Sequence, residues 1–286
     1  MPVATIQQLR QQATAVLTGD EARLDVDLLL AHVLGKSPVF LRTWPEHELS
    51  DEQLTQFQAL LSQRQSGIPL AYILGERAFW RLNLSVSRDV LIPRPDTESV
   101  VEKVLELGQG QTWRVADLGT GSGAIALSLA LEHPDWQIVA TDIHDRSLAV
   151  AQHNALKHDL TNVTFACGAW FEPLTGLFHC IVSNPPYVDA QDMADLPPEY
   201  QQEPEMALAA GADGLDIVRR MLAEAADYLT EDGVLVVEVG NSEWALAQEF
   251  PQVPFDWIEF KRGGSGVFVL TAAQCQQYQQ IFEESL

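Results

Sequence analysis

Positive charge is scarce in this 286-residue chain: 17 Lys and Arg stand against 40 Asp and Glu, a formal net charge of −23. Such a surface repels phosphate backbones instead of releasing counterions from them, so a general grip on nucleic acid is not expected. Cysteine is scarce as well. Cys167, Cys180 and Cys275 are odd in number and show no C-x-x-C spacing, which argues against a disulfide framework or a zinc cluster and fits a reducing cytoplasm. No apolar run approaches the roughly 18 residues that span a bilayer. The opening "MPVATIQQLRQQ" also lacks the apolar centre of a secretory signal, so the expectation is a cytoplasmic protein with no membrane contact. His144, His153 and His158 fall on or near one predicted helix, but His153 and His158 are badly spaced to share a metal, and no metal site is expected.

Apolar residues, at 47%, are ample for a sizeable core, and their period changes along the chain. In "DEARLDVDLLLAHVLG" the residues Leu24, Val26, Leu28, Leu29, Val33 and Leu34 fall largely on one helical face. "SDEQLTQFQALLSQR" opens with Ser50 as N-cap and Gln53 three residues on, the spacing of a capping box. Residues 1–75 are therefore expected to form a small helical domain. Phe79, Leu82, Leu84 and Val86 then recur in near alternation, which predicts a β-hairpin linker over 76–95. From 96 to 286 strands and helices alternate, the pattern of a doubly wound, mostly parallel α/β sheet. Two late runs, "FDWIEFK" and "SGVFVLT", are expected to add an antiparallel edge.

Two motifs bear chemistry. In "VADLGTGSGAIAL" a strand ends at Asp117, and Gly119, Gly121 and Gly123 then open a helix. Glycines let the backbone turn sharply and approach a ligand, and the helix start offers unpaired N–H donors. Asp142 closes the following strand, where a carboxylate can hold ribose hydroxyls. Gly119, Gly121 and Ala124 also satisfy the dinucleotide fingerprint loosely, so a nicotinamide-dependent oxidoreductase remains open on this motif alone. The second motif is "SNPPYVD". Pro185 and Pro186 halt the strand "LFHCIV", rigidify the chain and leave nearby carbonyls without local donors.

Taken together, "GIPLAYILGERAFWRLNLSVSRDVLIPRPDTE", "DLGTGSGAIALSLA", "WFEPL" and "SNPPYVD" resemble the protein-(glutamine-N5) methyltransferases, and most closely the release factor glutamine methyltransferase branch. The resemblance runs over nearly the whole chain. It implies a class I S-adenosylmethionine methyltransferase fold with a seven-stranded sheet behind a helical substrate-recognition domain, and S-adenosyl-L-methionine as cofactor. It implies that Gly119, Thr120, Gly121, Ser122 and Gly123 pass beneath the methionine part, that Asp142 holds the ribose, and that Trp170 and Asn184 complete the cofactor site. It further implies a catalytic group of Asn184, Pro185, Pro186 and Tyr187: Asn184 and the Pro185 carbonyl accept the two amide hydrogens of a glutamine, and the Tyr187 ring packs on its plane. Arg94 and Asp96 of "IPRPDTE" are placed to help close the site.

The partner that the resemblance implies is a protein, a peptide-chain release factor, met by a monomeric enzyme. After Tyr187 the text is also similar to the sister branch that acts on a large-subunit ribosomal protein, which is the alternative substrate. Ala169 stands before Trp170 where the release factor branch commonly has an acid. An adenine-N6 nucleic-acid methyltransferase uses a similar motif on a flipped base, but few Lys or Arg lie between Arg94 and Arg262 to form a basic stripe. A non-catalytic module with this fold would have no use for an intact glycine loop beside Asn184.

Overall fold

The computed structural model describes residues 4–17, 19, 21–197, 199–258 and 265–286. The chain forms two compact units, Met1–Glu76 with Pro198–Gln202, and Arg77–Pro197 with Glu203–Leu286.

The first unit holds α1 (Ile6–Thr14), α2 (Ala22–Leu34), α3 (Pro38–Thr43), α4 (Asp51–Gln65) and α5 (Leu70–Leu74). Reciprocal capping boxes, Thr5 with Gln8 and Ser50 with Gln53, satisfy the first free N–H groups of α1 and α4. Gly35 ends α2 in the left-handed conformation. Ile6, Leu9, Val26, Leu29, Leu30, Leu41 and Phe57 build the core, and burying each large apolar side chain is worth roughly 1.5–3 kcal/mol. Leu24, expected on the buried face of α2, is instead 52% exposed. The helix turns inward the face that carries Val26, Leu29, Leu30 and Val33, at helical spacing, and Leu24 lies off it. Asp25 and Asp27, on the same helix, are buried and bind Arg64 and Arg10.

The second unit opens at Arg77 within β1 (Glu76–Phe79), which pairs with β2 (Leu82–Ser85) as a two-stranded sheet. After α6 (Glu98–Leu107) come β3 (Arg114–Leu118), α7 (Ala124–Glu132), β4 (Gln137–Asp142), α8 (Asp145–Lys157), β5 (Val163–Cys167) and β6 (Phe178–Ser183). The chain continues through α9 (Ala190–Asp195), α10 (Asp216–Glu224), β7 (Leu229–Glu238), α11 (Glu243–Glu249), β8 (Asp256–Trp257), β9 (Val267–Thr271) and α12 (Ala272–Glu283). Among the described residues these strands form a seven-stranded sheet in the order β5-β4-β3-β6-β7-β9-β8. The first five are parallel, and β9 runs antiparallel to β7 and β8. The antiparallel edge is thus formed by β8 and β9, while Glu259–Lys261 of the predicted run "FDWIEFK" lie outside the described residues.

Apolar clusters cover both faces of the sheet, one centred on Phe171, Phe178, Met221 and Phe268, the other on Phe79, Val104, Trp136 and Ile138. Buried on both sides, the central strands read as continuous apolar runs such as "CIV" and "VLVV". After β3 the chain winds outward to β4 and β5, then returns to β6 on the other side of β3. That reversal opens a crevice at the carboxyl ends of β3 and β6, where open α/β sheets bind ligands. No helix among the described residues is long and apolar enough to cross a membrane.

Candidate active site

A cavity of about 330 Å³ lies at this crevice, within the second unit. Gly119, Thr120, Gly121 and Ser122 form one wall, and Asp142, Trp170, Asn184 and Pro186 also face it. Gly119, Gly121 and Gly123 adopt φ of 71°, 55° and 86°, the left-handed region that L side chains rarely enter. Gly123 caps α7, and a Cβ there would lie 2.8 Å from Leu127 Cδ1, so it shapes the loop from behind the cavity wall. Asn154, fully buried on α8, donates to the carbonyls of Ser85 and Ser122, both at 2.9 Å, and so ties the glycine loop to β2.

Two carboxylates face this loop. Asp142 ends β4, and its oxygens accept from the Gly121 and His144 N–H groups at 3.0 and 2.9 Å, which fixes the carboxylate while each oxygen keeps a lone pair. Asp117, not singled out as a ligand by the sequence, lines the cavity from β3. Its Oδ2 accepts from Thr120 Oγ1 at 2.6 Å and the Ala126 N–H at 3.1 Å, whereas Oδ1 is buried with no partner among the described residues. Burial pushes this carboxyl up to about 6, with the Asp142 charge adding to the rise against the two hydrogen bonds. An acceptor left open beside a glycine loop, next to a second carboxylate with lone pairs to spare, fits a ligand that joins an amino-acid ammonium to a nucleoside. S-adenosylmethionine has this composition. Trp170 is held at φ 48°, and its ring lies over Gly119, where a Cβ would sit 3.4 Å from the indole. A bulky residue in that conformation stores strain of order 1–3 kcal/mol, which here aims the indole at the cavity.

The NPPY segment leaves β6 directly. Ser183 anchors it by donating to the Leu118 carbonyl at 2.6 Å, and Asn184 Nδ2 donates to Thr97 Oγ1 at 2.9 Å. Pro185 is buried, and among the described residues its carbonyl takes no hydrogen bond from the chain. Tyr187 does not line the cavity. Its carbonyl accepts from Ser242 Oγ at 2.9 Å, its hydroxyl approaches Glu238 Oε1 at 3.5 Å, and a Cβ on Gly240 would come within 2.6 Å of its ring. Further on, Val188 pairs with the Leu208–Ala210 segment. Glu203 accepts from the Ile92 N–H at 3.0 Å and is salt-bridged to Arg94, pinning "LIPRPDTE" to the chain beyond the motif. Thr97, Asp117, Glu203 and Glu238 were not expected at the site. Asp117 and Glu238 left a signal, each as a lone charge in an apolar run, "VADL" and "VLVVEVG".

Among the described residues no group of His, Cys, Asp and Glu is arranged to hold a metal ion. Cys180 and Cys275 are buried free thiols, and Cys167 is exposed.

Comparison with known proteins agrees with this geometry. A family model of the "PrmC N-terminal domain" matches residues 8–75, and one of the "Methyltransferase small domain" matches residues 97–197. The release factor glutamine methyltransferase of Coxiella burnetii is 44% identical over 82% of this chain and 84% of its own length. That of Aliivibrio fischeri is 41% identical over 86% of this chain and 88% of its own length. Among solved structures, the hMettl16 catalytic domain in complex with an RNA hairpin superposes with a TM-score of 0.55 at 16% identity, covering 85% of this chain and 92% of that one, a likeness of fold alone. With identity above 40% across most of both chains, this protein belongs to the release factor glutamine methyltransferase family.

Proposed function

We propose that the chain transfers a methyl group from S-adenosyl-L-methionine to the side-chain amide nitrogen of a glutamine in a peptide-chain release factor. The observation that carries the reading is that a glycine loop, Asp142 and Asn184 line one cavity, with the Asn184 amide nitrogen tied back to Thr97, which leaves its Oδ1 for a substrate. Bound there, the cofactor supplies an electrophilic methyl on a sulfonium. Gly119–Gly123 would pass beneath its methionine part, Asp117 Oδ1 would accept from its ammonium, Asp142 would hold its ribose, and Trp170 would flank its adenine.

A primary amide nitrogen is a poor nucleophile because its lone pair is delocalised into the carbonyl. Asn184 Oδ1 and the Pro185 carbonyl engage the two N–H bonds, and this holds the nitrogen's remaining electron density toward the methyl in a near-attack arrangement. As positive charge develops on nitrogen, both N–H bonds become better donors. These acceptors therefore stabilise the transition state more than the ground state, and the methylated nitrogen, strongly acidified by its positive charge, sheds one proton to solvent without a strong base. Pro186, which lines the cavity, stiffens the turn, and the Tyr187 ring, packed against Gly240, supports that turn from outside the cavity lining.

The segment after Tyr187 that is similar to the ribosomal-protein branch does not tip the choice of substrate. A match covering 86% of 286 residues necessarily extends past Tyr187, so much of this segment lies within the likeness to a release factor enzyme. We assign substrate recognition to residues 1–75, with 76–95 leading into the catalytic domain of 96–286. A monomer acting on a release factor places the reaction in the cytoplasm without a nucleic-acid grip. Incubation with labelled S-adenosylmethionine and, separately, a release factor and a large-subunit ribosomal protein tests this. Label on the release factor is the expected result, and label on the ribosomal protein alone overturns the choice of substrate.

A further inference from the structure

Glu238 ends β7, is 4% exposed, and has no part in the mechanism above. Its surroundings are specific. Tyr187 Oη reaches toward Oε1 at 3.5 Å, while Oε2 is buried and without a partner among the described residues. Thr97, Tyr187 and Asn184 lie near enough to the carboxyl to favour its charged form. Thr97, itself buried, also accepts from Asn184 Nδ2 at 2.9 Å. The turn that follows Glu238 completes a cradle: Gly240 makes room for the Tyr187 ring, and Ser242 holds the Tyr187 carbonyl.

The chemistry of these groups is directional. An ionised carboxylate only accepts, and a threonine hydroxyl has one hydrogen to give. If that hydrogen turns to Glu238, the lone pairs of Thr97 are what remains for Asn184, which must then offer its NH₂ inward and its Oδ1 toward the cavity. A carboxamide reversed by half a turn would present N–H to the N–H of a substrate amide, donor against donor. Which way a carboxamide points is set by its hydrogen-bond network. We propose that Glu238 is a positioning residue that, through the Thr97 hydroxyl, fixes the Asn184 carboxamide with its oxygen toward the reacting amide and, through the Tyr187 hydroxyl, steadies the turn that carries Asn184. The inference rests on the glutamine-methylating reading of this site.

The arrangement has a consequence in pH. Burial pushes Glu238 up to about 7, and Asp96, the charged group facing it from the turn before α6, adds to the rise. From the loop after β6 it meets the Tyr187 hydroxyl, and from β9 its register partner is the apolar Val267. Protonated Glu238 becomes a donor, which frees Thr97 to donate to Asn184 and reverse the carboxamide. Turnover should therefore fall as pH drops through about 7.

The test compares Glu238→Gln, Thr97→Val and Thr97→Ser in the full chain, with S-adenosylmethionine and a release factor as substrates. Expected for Glu238→Gln is a kcat lower by about tenfold or more, with KM for the protein and Kd for the cofactor within about twofold, and loss of the acidic limb near pH 7. Thr97→Val should lose a similar factor, and Thr97→Ser, which keeps the hydroxyl, should regain most of it. Wild-type kcat and an unchanged acidic limb in Glu238→Gln overturn the proposal, as does wild-type kcat in Thr97→Val. Titration of the Glu238 carboxyl by 13C NMR is independent of turnover: loss of the Thr97 donor should move its midpoint upward, and an unmoved midpoint overturns the relay. Wild-type protein that methylates neither substrate sinks the functional reading, while this titration still decides the relay.

Discussion

In the helical unit Asp25 and Asp27 are buried, and each meets an arginine nitrogen at 2.6 Å. In the catalytic unit Asp117 and Glu238 are buried at least as deeply, yet each keeps one oxygen without a partner among the described residues. The first pair tie α2 to α1 and α4. The second pair stand at the ends of β3 and β7, where pairing within the chain would consume the acceptors that a ligand or a catalytic loop needs. Their carboxyls are pushed up to about 6 and about 7, from ordinary values of 3.8 and 4.5. Between its ordinary and raised values each group holds a proton in the folded state that the unfolded chain releases, so stability falls as pH rises through that window. Buried acids thus report role: paired ones support the fold, and those left open burden it at a functional site.

Arg64→Ala should produce the largest stability change, since it leaves Asp25 buried without its arginine. A loss of about 3–5 kcal/mol is expected, read by denaturant unfolding, and a loss under about 1 kcal/mol would remove the structural half of the contrast. Glu238→Gln should act in the opposite direction. Because it removes a charge that burial disfavours, it should stabilise the protein at pH 8 by up to about 3 kcal/mol relative to wild type, with the gain vanishing toward pH 4. A difference in melting temperature that does not change with pH would show that Glu238 carries no such burden.

Asp142→Ala should weaken S-adenosylmethionine by about 1.5–3 kcal/mol in calorimetry, the value of charge-assisted hydrogen bonds to the ribose. Unchanged affinity in the folded variant would place the ribose elsewhere. Tyr187→Phe should be the mildest change, lowering kcat by less than about tenfold, because the ring stays against Gly240 and the hydroxyl's approach to Glu238 is a long 3.5 Å. A loss as deep as that of an Asn184 variant would give the hydroxyl a larger role than assigned.

What could be read from sequence was what is contiguous in it. The glycine loop, Asp142 at the next strand end and the NPPY turn each declare themselves within a few residues, and βα alternation places them at one edge of a parallel sheet. Trp170 was legible only through the family resemblance, since a lone Trp is more often packing. Thr97, Glu238 and Glu203 act through partners far along the chain: Thr97 lies 87 residues from Asn184, Glu238 lies 51 from Tyr187, and Glu203 lies 109 from Arg94. No local period encodes such pairs. Likewise "LDVDLLL" does not reveal that its two acids point inward, because their arginines come from other helices.

Asn184, in this reading, holds a glutamine amide for methylation. The most direct test is fragment mass spectrometry of a release factor after reaction with wild-type protein and with Asn184→Ala. The account predicts one methyl group on the side-chain nitrogen of a glutamine with wild-type protein, and a rate lower by about 10²–10³-fold with the variant, the loss typical of a removed transition-state hydrogen bond. A methyl group on any other kind of side chain, or an Asn184→Ala rate close to wild type in a folded protein, would contradict it.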